Sequence, residues 1–301
     1  MVYQKTSKKL ALLLNPEGGR NQREWSWVLA LAQQMGLEVC LASRPKEIEE
    51  SVYHLVSQKK DILVSGGDGT VSLVLTALKG LPSYKRPLLG LLPGGTTNLI
   101  ARDLSPLSQI QILHALKKKP AKLQKRLFLE LEPPGRCGMF VGGGLILEGV
   151  KYFRQKRSLA QGKPPLLGRV ILALSQKIFR ARSDSPVKAM ENGLVFYQGP
   201  FWVFWATSLL RLFGRFSPGL SCPHEELRVN ALLKGKMGLF PLTKMILGKT
   251  FTHQPQEGIY SLCSRKLVIY ARELALDGEI YTSPQGKFIL SAAGEVIFIT
   301  W

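Results

Sequence analysis

The chain is short of acids: 21 Asp and Glu stand against 41 Lys and Arg, a formal charge of +20. That imbalance points to an anionic partner, and nucleic acid, an anionic membrane surface and a polyphosphate all satisfy it. Cysteine is scarce too. Cys40, Cys137, Cys222 and Cys263 form no C-x-x-C pair, which argues against a zinc site and a disulfide framework and fits a reducing cytosol. His54, His114, His224 and His253 are isolated from one another. No apolar run is long enough to span a bilayer: the stretch from Phe201 to Leu210 is cut by Arg211 and Arg215, short of the ~20 residues required, and reads as a buried segment. The polar N-terminus lacks the apolar stretch of a signal peptide, so secretion is not expected. Neither G-x-x-x-x-G-K-[ST] nor G-x-G-x-x-G occurs; Gly144 to Lys151 misses the first because Val150 stands in the lysine position. A P-loop ATPase and an ordinary Rossmann dehydrogenase are disfavoured.

What is present is a globular balance, 45% hydrophobic, and three glycine turns in the first 100 residues. Asn15-Pro16-Glu17-Gly18-Gly19 closes the apolar run Leu10 to Leu14. Gly66-Gly67-Asp68-Gly69-Thr70 closes Ile62 to Ser65, and Pro93-Gly94-Gly95-Thr96-Thr97-Asn98 closes Leu88 to Leu92. Helical spacing follows each: Trp25, Val28, Leu29, Ala32 and Met35 after the first, and Val71, Val74, Leu75 and Leu78 after the second. Leu37 to Ala42 reads as a further strand, and Ile48, Val52, Leu55 and Val56 as a helix face. This order predicts an α/β domain with a parallel sheet and the ligand at the carboxyl ends of its strands, where all three turns lie. Bare N–H groups at strand-to-helix turns suit a phosphate.

The second turn carries the sharper chemistry. Its glycines let a phosphate approach the main chain, but the Asp68 carboxylate repels the same phosphate unless a cation such as Mg²⁺ lies between them. Read without a ligand, Asp68-Gly69 is a turn at a helix start, with Thr70 as its cap. Thr96 and Thr97 likewise read either as hydroxyl donors to a ligand or as helix caps, and Asn98 as a ligand or as a strut between turns.

From Lys122 onward the pattern changes to short strands, Leu127 to Leu131, Val195 to Tyr197, Leu267 to Tyr270, Glu279 to Thr282 and Lys287 to Leu290, parted by Pro, Gly and Asp-Gly turns. An antiparallel β-sandwich domain is expected over 122–301, after the α/β domain of 1–121. Between the strands, 149–183 holds Lys151, Arg154, Lys156, Arg157, Lys163, Arg169, Lys177, Arg180 and Arg182 and no acid. Interleaved with Leu166, Val170, Ile171 and Phe179, this reads as a basic amphipathic helix for a membrane surface or as a solvated face. No recognised nucleic-acid module accompanies the charge.

The three turns, in this order and spacing, resemble the diacylglycerol kinase catalytic-domain family, which includes bacterial lipid kinases and is related to sphingosine kinases. That family carries an NPxxG turn, a GGDGT turn and a P-x-G-T-x-N-x-x-A-R stretch, matched here by Pro93, Gly95, Thr96, Asn98, Ala101 and Arg102. GGDGT alone is shared with NAD kinases; the combination is what is specific. The resemblance implies an ATP-dependent lipid kinase, with Asn15, Pro16, Gly18, Gly19, Ser43, Gly66, Gly67, Asp68, Gly69, Thr70, Ser72, Gly95, Thr96 and Asn98 around ATP and Mg²⁺ at Asp68. Asp277-Gly278-Glu279 matches the family's DGE turn, which implies Glu279 as the base for the lipid hydroxyl; on pattern alone Asp277-Gly278 is a hairpin turn. Two positions depart from the family: Leu99 replaces a common Asp, and His224 stands where an Asp helps hold a structural metal, so no structural metal is expected.

The expected reaction is diacylglycerol to phosphatidate, by a cytoplasmic protein peripheral on an anionic membrane. The rivals are an NAD kinase-like enzyme, against which the Asn15 turn and Pro93 to Arg102 argue, and a non-catalytic lipid- or nucleotide-binding protein of the same fold.

Overall fold

The computed structural model describes residues 2–3, 9–118, 121–159, 187–191, 194–199, 201–212, 220–233, 256 and 258–301. The first half runs β1 (Val2–Tyr3), β2 (Leu10–Leu14), α1 (Asn21–Gln34), β3 (Glu38–Leu41), α2 (Pro45–Ser57), β4 (Asp61–Gly66), α3 (Asp68–Lys79), β5 (Leu89–Pro93), α4 (Leu99–Leu104) and α5 (Gln109–Lys118). Strands β5, β4, β2 and β3 lie side by side, all parallel. β2 is wholly apolar because helices cover both of its faces. Leu10, Leu12 and Leu14 join Val28 and Ala32 of α1 and Leu113 of α5. Ala11 and Leu13 join Ile48 and Leu55 of α2 and Val74 of α3 on the other side. Each fully buried Leu contributes about 1.5–3 kcal/mol relative to exposure.

The second half runs β6 (Ala121–Glu132), β7 (Arg136–Gly138), β8 (Phe140–Gly144), α6 (Leu145–Leu159), β9 (Val187–Glu191), β10 (Leu194–Gly199), β11 (Phe201–Thr207), β12 (Leu227–Leu233), β13 (Ile259–Ser264), β14 (Lys266–Tyr270), β15 (Glu273–Leu276), β16 (Glu279–Thr282) and β17 (Phe288–Thr300). A six-stranded antiparallel sheet has the order β13-β12-β11-β8-β15-β16. Its inner face, with Phe204, Val229 and Leu274, packs on Leu129 of β6, Leu267 of β14 and Phe288 and Leu290 of β17. Two sheets thus share one apolar layer, the α/β plus antiparallel architecture expected from the turn pattern. The stretch from Phe201 is β11, central and buried, with Trp205 1% exposed.

The large sheet draws on both sides of residue 121. β17 pairs antiparallel with β6 from Ile289↔Glu132 to Thr300↔Lys122, and its far end pairs parallel with β5 at Phe298↔Leu89. One strand therefore ties the parallel sheet to the sandwich.

The cysteine reading is corrected by the structure: Cys222 and Cys263, 41 positions apart, form a disulfide. The pair has no sequence signature because the antiparallel pairing of β12 with β13 brings the two residues together, Cys222 lying just before β12 and Cys263 opposite Arg228. Cys40 and Cys137 are free. The cysteines consequently no longer argue for a reducing compartment. Of the basic segment, residues up to Leu159 form α6, and 160–183 lie outside the described residues. Among the described residues, no helix is long and apolar enough to cross a membrane.

Candidate active site

The three glycine turns meet above the carboxyl ends of β2, β4 and β5, held together by a buried amide. Asn21, fully buried in the first turn of α1, donates from Nδ2 to the Asn15 carbonyl at 2.8 Å and to the Ser65 carbonyl at 3.1 Å. Its Oδ1 accepts from Gln109 Nε2 at 3.1 Å, and Ser65 Oγ donates to Gln109 Oε1 at 2.8 Å. Main-chain bonds complete the join: Gly94 N to Gly66 O at 3.0 Å, and Arg20 N to Gly94 O at 2.8 Å. A Cβ on Gly94 would lie 2.3 Å from Asn21 Oδ1, so the position admits no side chain.

The expected caps are differently made. Thr70 lies inside α3, whose N-cap is Gly67, and its Oγ1 accepts from Asn15 Nδ2 at 3.0 Å. Asn98 caps α4 from the left-handed region, φ 51°, and folds its side chain back: Gly95 N donates to Oδ1 at 2.7 Å and Nδ2 donates to Gly95 O at 2.8 Å. Asn98 is therefore a strut inside its own turn. Thr96 and Thr97 are exposed.

Asp68 is 8% exposed and receives the N–H of Leu99 at Oδ2 and of Ile100 at Oδ1, each at 3.0 Å. Burial raises its pKa, and the amides of Leu99 and Ile100 together with the Arg102 charge pull it back. Asp277, at the β15–β16 turn with φ 47°, is buried and accepts from Phe140 N at 3.0 Å and Met139 N at 3.1 Å. Burial first, then the neighbouring Asp68 charge, pushes its pKa well above the usual carboxylate value. A Cβ on Gly138 would sit 2.2 Å from Asp277 Oδ2, which is why glycine ends β7.

Glu279 opens β16 beside this pair. A Cβ built on Gly69 would lie 3.7 Å from its Oε1, so the carboxylate reaches the Gly66 to Thr70 turn. Its Oε2 is held by Arg154 of α6.

Magnesium would have Asp68 as its anchor. Both oxygens already accept an amide, yet each keeps a second lone pair. Among the described residues no three His, Cys, Asp or Glu side chains gather as a metal cage. One carboxylate is sufficient for a Mg²⁺ that arrives on phosphates and keeps its waters. Leu99 contributes its backbone N–H and a buried apolar side chain, no second acid.

The structure brings together Asn15, Pro16, Gly18, Gly19, the Gly66 to Thr70 turn, Gly95, Thr96, Asn98 and Glu279. Ser43 sits at the end of β3, its N–H bonded to Glu47 Oε2 at 3.0 Å. Ser72 is buried one turn into α3 and donates to the Cys137 carbonyl at 2.5 Å. His224 is exposed. Sequence reasoning missed Asn21, Asp277 and Arg154. Nothing in the polar start of α1, Asn21-Gln22-Arg23-Glu24, marked Asn21 as the buried one, while Asp277 had the signal of a non-glycine residue before a turn glycine.

Residues 9–126 match the model of the diacylglycerol kinase catalytic domain. A diacylglycerol kinase of Staphylococcus carnosus is 27% identical over 141 residues, 43% of this chain and 45% of that protein. A Yersinia pestis protein named "Probable lipid kinase YegS-like" is 44% identical over 64 residues, 21% of each. The aligned stretches thus span less than half the length of these curated relatives. The fold extends further: a Bacillus anthracis diacylglycerol kinase crystal structure superposes with a TM-score of 0.67 and 20% identity, covering 99% of this chain and 98% of that one. A second structure from that organism gives 0.71 and 21% over 99% of both chains. Over residues 9–126 the chain is similar to the diacylglycerol kinase catalytic-domain family, and its fold over nearly the whole length is that of the solved structures above.

Proposed function

We propose that the protein is an ATP-dependent lipid kinase whose acceptor is the primary hydroxyl of a lipid, with diacylglycerol converted to phosphatidate. The observation that carries this reading is the approach of Glu279 to Gly69, which sets an exposed carboxylate beside a turn built for phosphate. The start of α3, Gly67 to Thr70, binds the triphosphate, and the Asn15 and Gly94 turns, whose Gly18, Gly94 and Gly95 amides are engaged within the protein, pack around it. Asp68 anchors α4 and holds Mg²⁺, which when bound offsets charge on the phosphoryl oxygens. Glu279 takes the proton of the lipid hydroxyl. The hydroxyl oxygen forms a bond to the γ-phosphorus as the bond to the β–γ bridging oxygen breaks, and ADP leaves with that oxygen. A net charge of +20 and the basic, acid-free run of 149–183, beyond the Lys151 and Arg154 that pair with acids, support work at an anionic membrane surface.

Purified protein with labelled ATP, Mg²⁺ and anionic vesicles carrying diacylglycerol or sphingosine tests this directly. A labelled phospholipid, lost with Asp68→Asn and cut ~100-fold or more with Glu279→Gln at unchanged ATP affinity, is the expected result. Binding of ATP and vesicles without product would instead support a non-catalytic binder, and phosphorylation of NAD an NAD kinase.

A further inference from the structure

Helix α6 touches the hairpin that carries Glu279 at two points on one helical face. Lys151 donates to Glu273 Oε2 at 2.6 Å, on β15 before the turn, and also pairs with Glu148 at 3.3 Å. Three residues on, Arg154 donates to the Gly278 carbonyl at 3.1 Å and pairs with Glu279 Oε2, after the turn. Residues three apart share a helix face, so the two cations clasp both strands of the β15–β16 hairpin.

The clasp matters because of where Glu279 stands. β16 is the edge strand of its sheet, and the Glu279 side chain is 55% exposed. An exposed glutamate on an edge strand has three side-chain torsions to choose from. One guanidinium fixes both the carbonyl of the turn and one carboxylate oxygen, leaving the other oxygen toward Gly69. An exposed ion pair adds little to stability, so the consequence of this one is orientation.

We propose that Arg154 is a positioning residue for Glu279, holding Oε2 so that Oε1 faces the phosphate turn. The assignment rests on Glu279 being the base of a lipid kinase. It also separates Arg154 from the rest of the basic segment, whose charge would serve binding to a surface.

The test compares wild type, Arg154→Ala, Arg154→Lys and Glu279→Gln on vesicles of phosphatidylglycerol with diacylglycerol. It follows kcat, the lipid KM and vesicle sedimentation, with thermal melting to confirm folding. Arg154→Ala is expected to lower kcat ~10- to 100-fold, as a misplaced catalytic group does, with lipid KM and sedimentation within ~3-fold of wild type. Arg154→Lys restores part of kcat, and the double variant with Glu279→Gln is no slower than Glu279→Gln alone, since the two act as one unit. An unchanged kcat in Arg154→Ala, or a loss confined to KM and sedimentation, overturns the assignment while leaving the kinase reading intact. A wild type that transfers no phosphoryl group overturns the kinase reading itself, and the assignment with it.

Discussion

Gly95 and Gly67 meet main chain to main chain: a Cβ on Gly95 would lie 2.3 Å from Gly67 Cα and 2.9 Å from Asn98 Oδ1. Two phosphate-facing turns are thereby pressed against each other with no side chain between them. Gly95→Ala must push them apart, at about 1–3 kcal/mol for forced overpacking. ATP affinity, measured by calorimetry, is expected to fall ~10-fold or more together with Tm. Gly80→Ala, at a helical φ of −66° with nothing within 4 Å, is the control and should hold or raise Tm.

Asn21 lies beneath the turns as their common partner. Asn21→Ala takes one hydrogen-bond partner each from the Asn15 carbonyl, the Ser65 carbonyl and Gln109 Nε2, worth about 1–3 kcal/mol in all. The urea midpoint should drop without a change in slope, and ATP binding should weaken because the Asn15 turn loses its strut.

Asp277 gives a stability signature in pH. Its folded pKa lies above that of the unfolded chain, through burial and the Asp68 charge. The stabilisation from holding its proton is therefore complete below the unfolded value and is lost as pH rises through the folded one. The unfolding free energy of wild type minus that of Asp277→Asn should fall as pH rises above the ordinary carboxylate value of about 4. A difference independent of pH would show that the site holds no proton.

The Cys222–Cys263 bond ties the loop before β12 to β13. Unreduced, denatured protein should titrate two thiols, Cys40 and Cys137, and reduced protein four. Cys263→Ser is expected to lower stability by about 2–4 kcal/mol. The Cys137 thiol, whose pKa burial pushes up to about 12, should stay unreactive in the native protein.

The parallel half was legible because its information is local. Leu10 to Leu14 and Ile62 to Ser65 are buried on both faces, so each strand is a continuous apolar run, and each ends in glycines that the chain cannot do without. Glu279 was singled out only through the resemblance of its DGE turn to the family's; the local pattern gave a hairpin there and no more. What stayed hidden depends on distant partners. Cys222 and Cys263 meet only when β12 and β13 pair, and Arg154 was one cation in a long basic run until α6 folded onto the hairpin. The reading of Thr70 as a cap failed because a short polar residue fits a cap and an interior hydrogen bond equally well, and Asn15 settles which. Asp277 was legible as a turn residue, but its burial against Met139 and Phe140 was not.

The course of β17 bears on how the chain can be made. It is synthesised after every other described strand, yet β5 relies on it to cover one edge at Leu89 and Gly90, and β6 pairs with it over its whole length. While the ribosome is still adding the sandwich strands, the nucleotide half has an open, apolar sheet edge at β5. The two halves are accordingly not successive folding units: the phosphate turns can form early, but the sheet beneath them is sealed only once residues 288–300 have emerged, and a nascent chain stalled before then is the form that chaperones would have to protect.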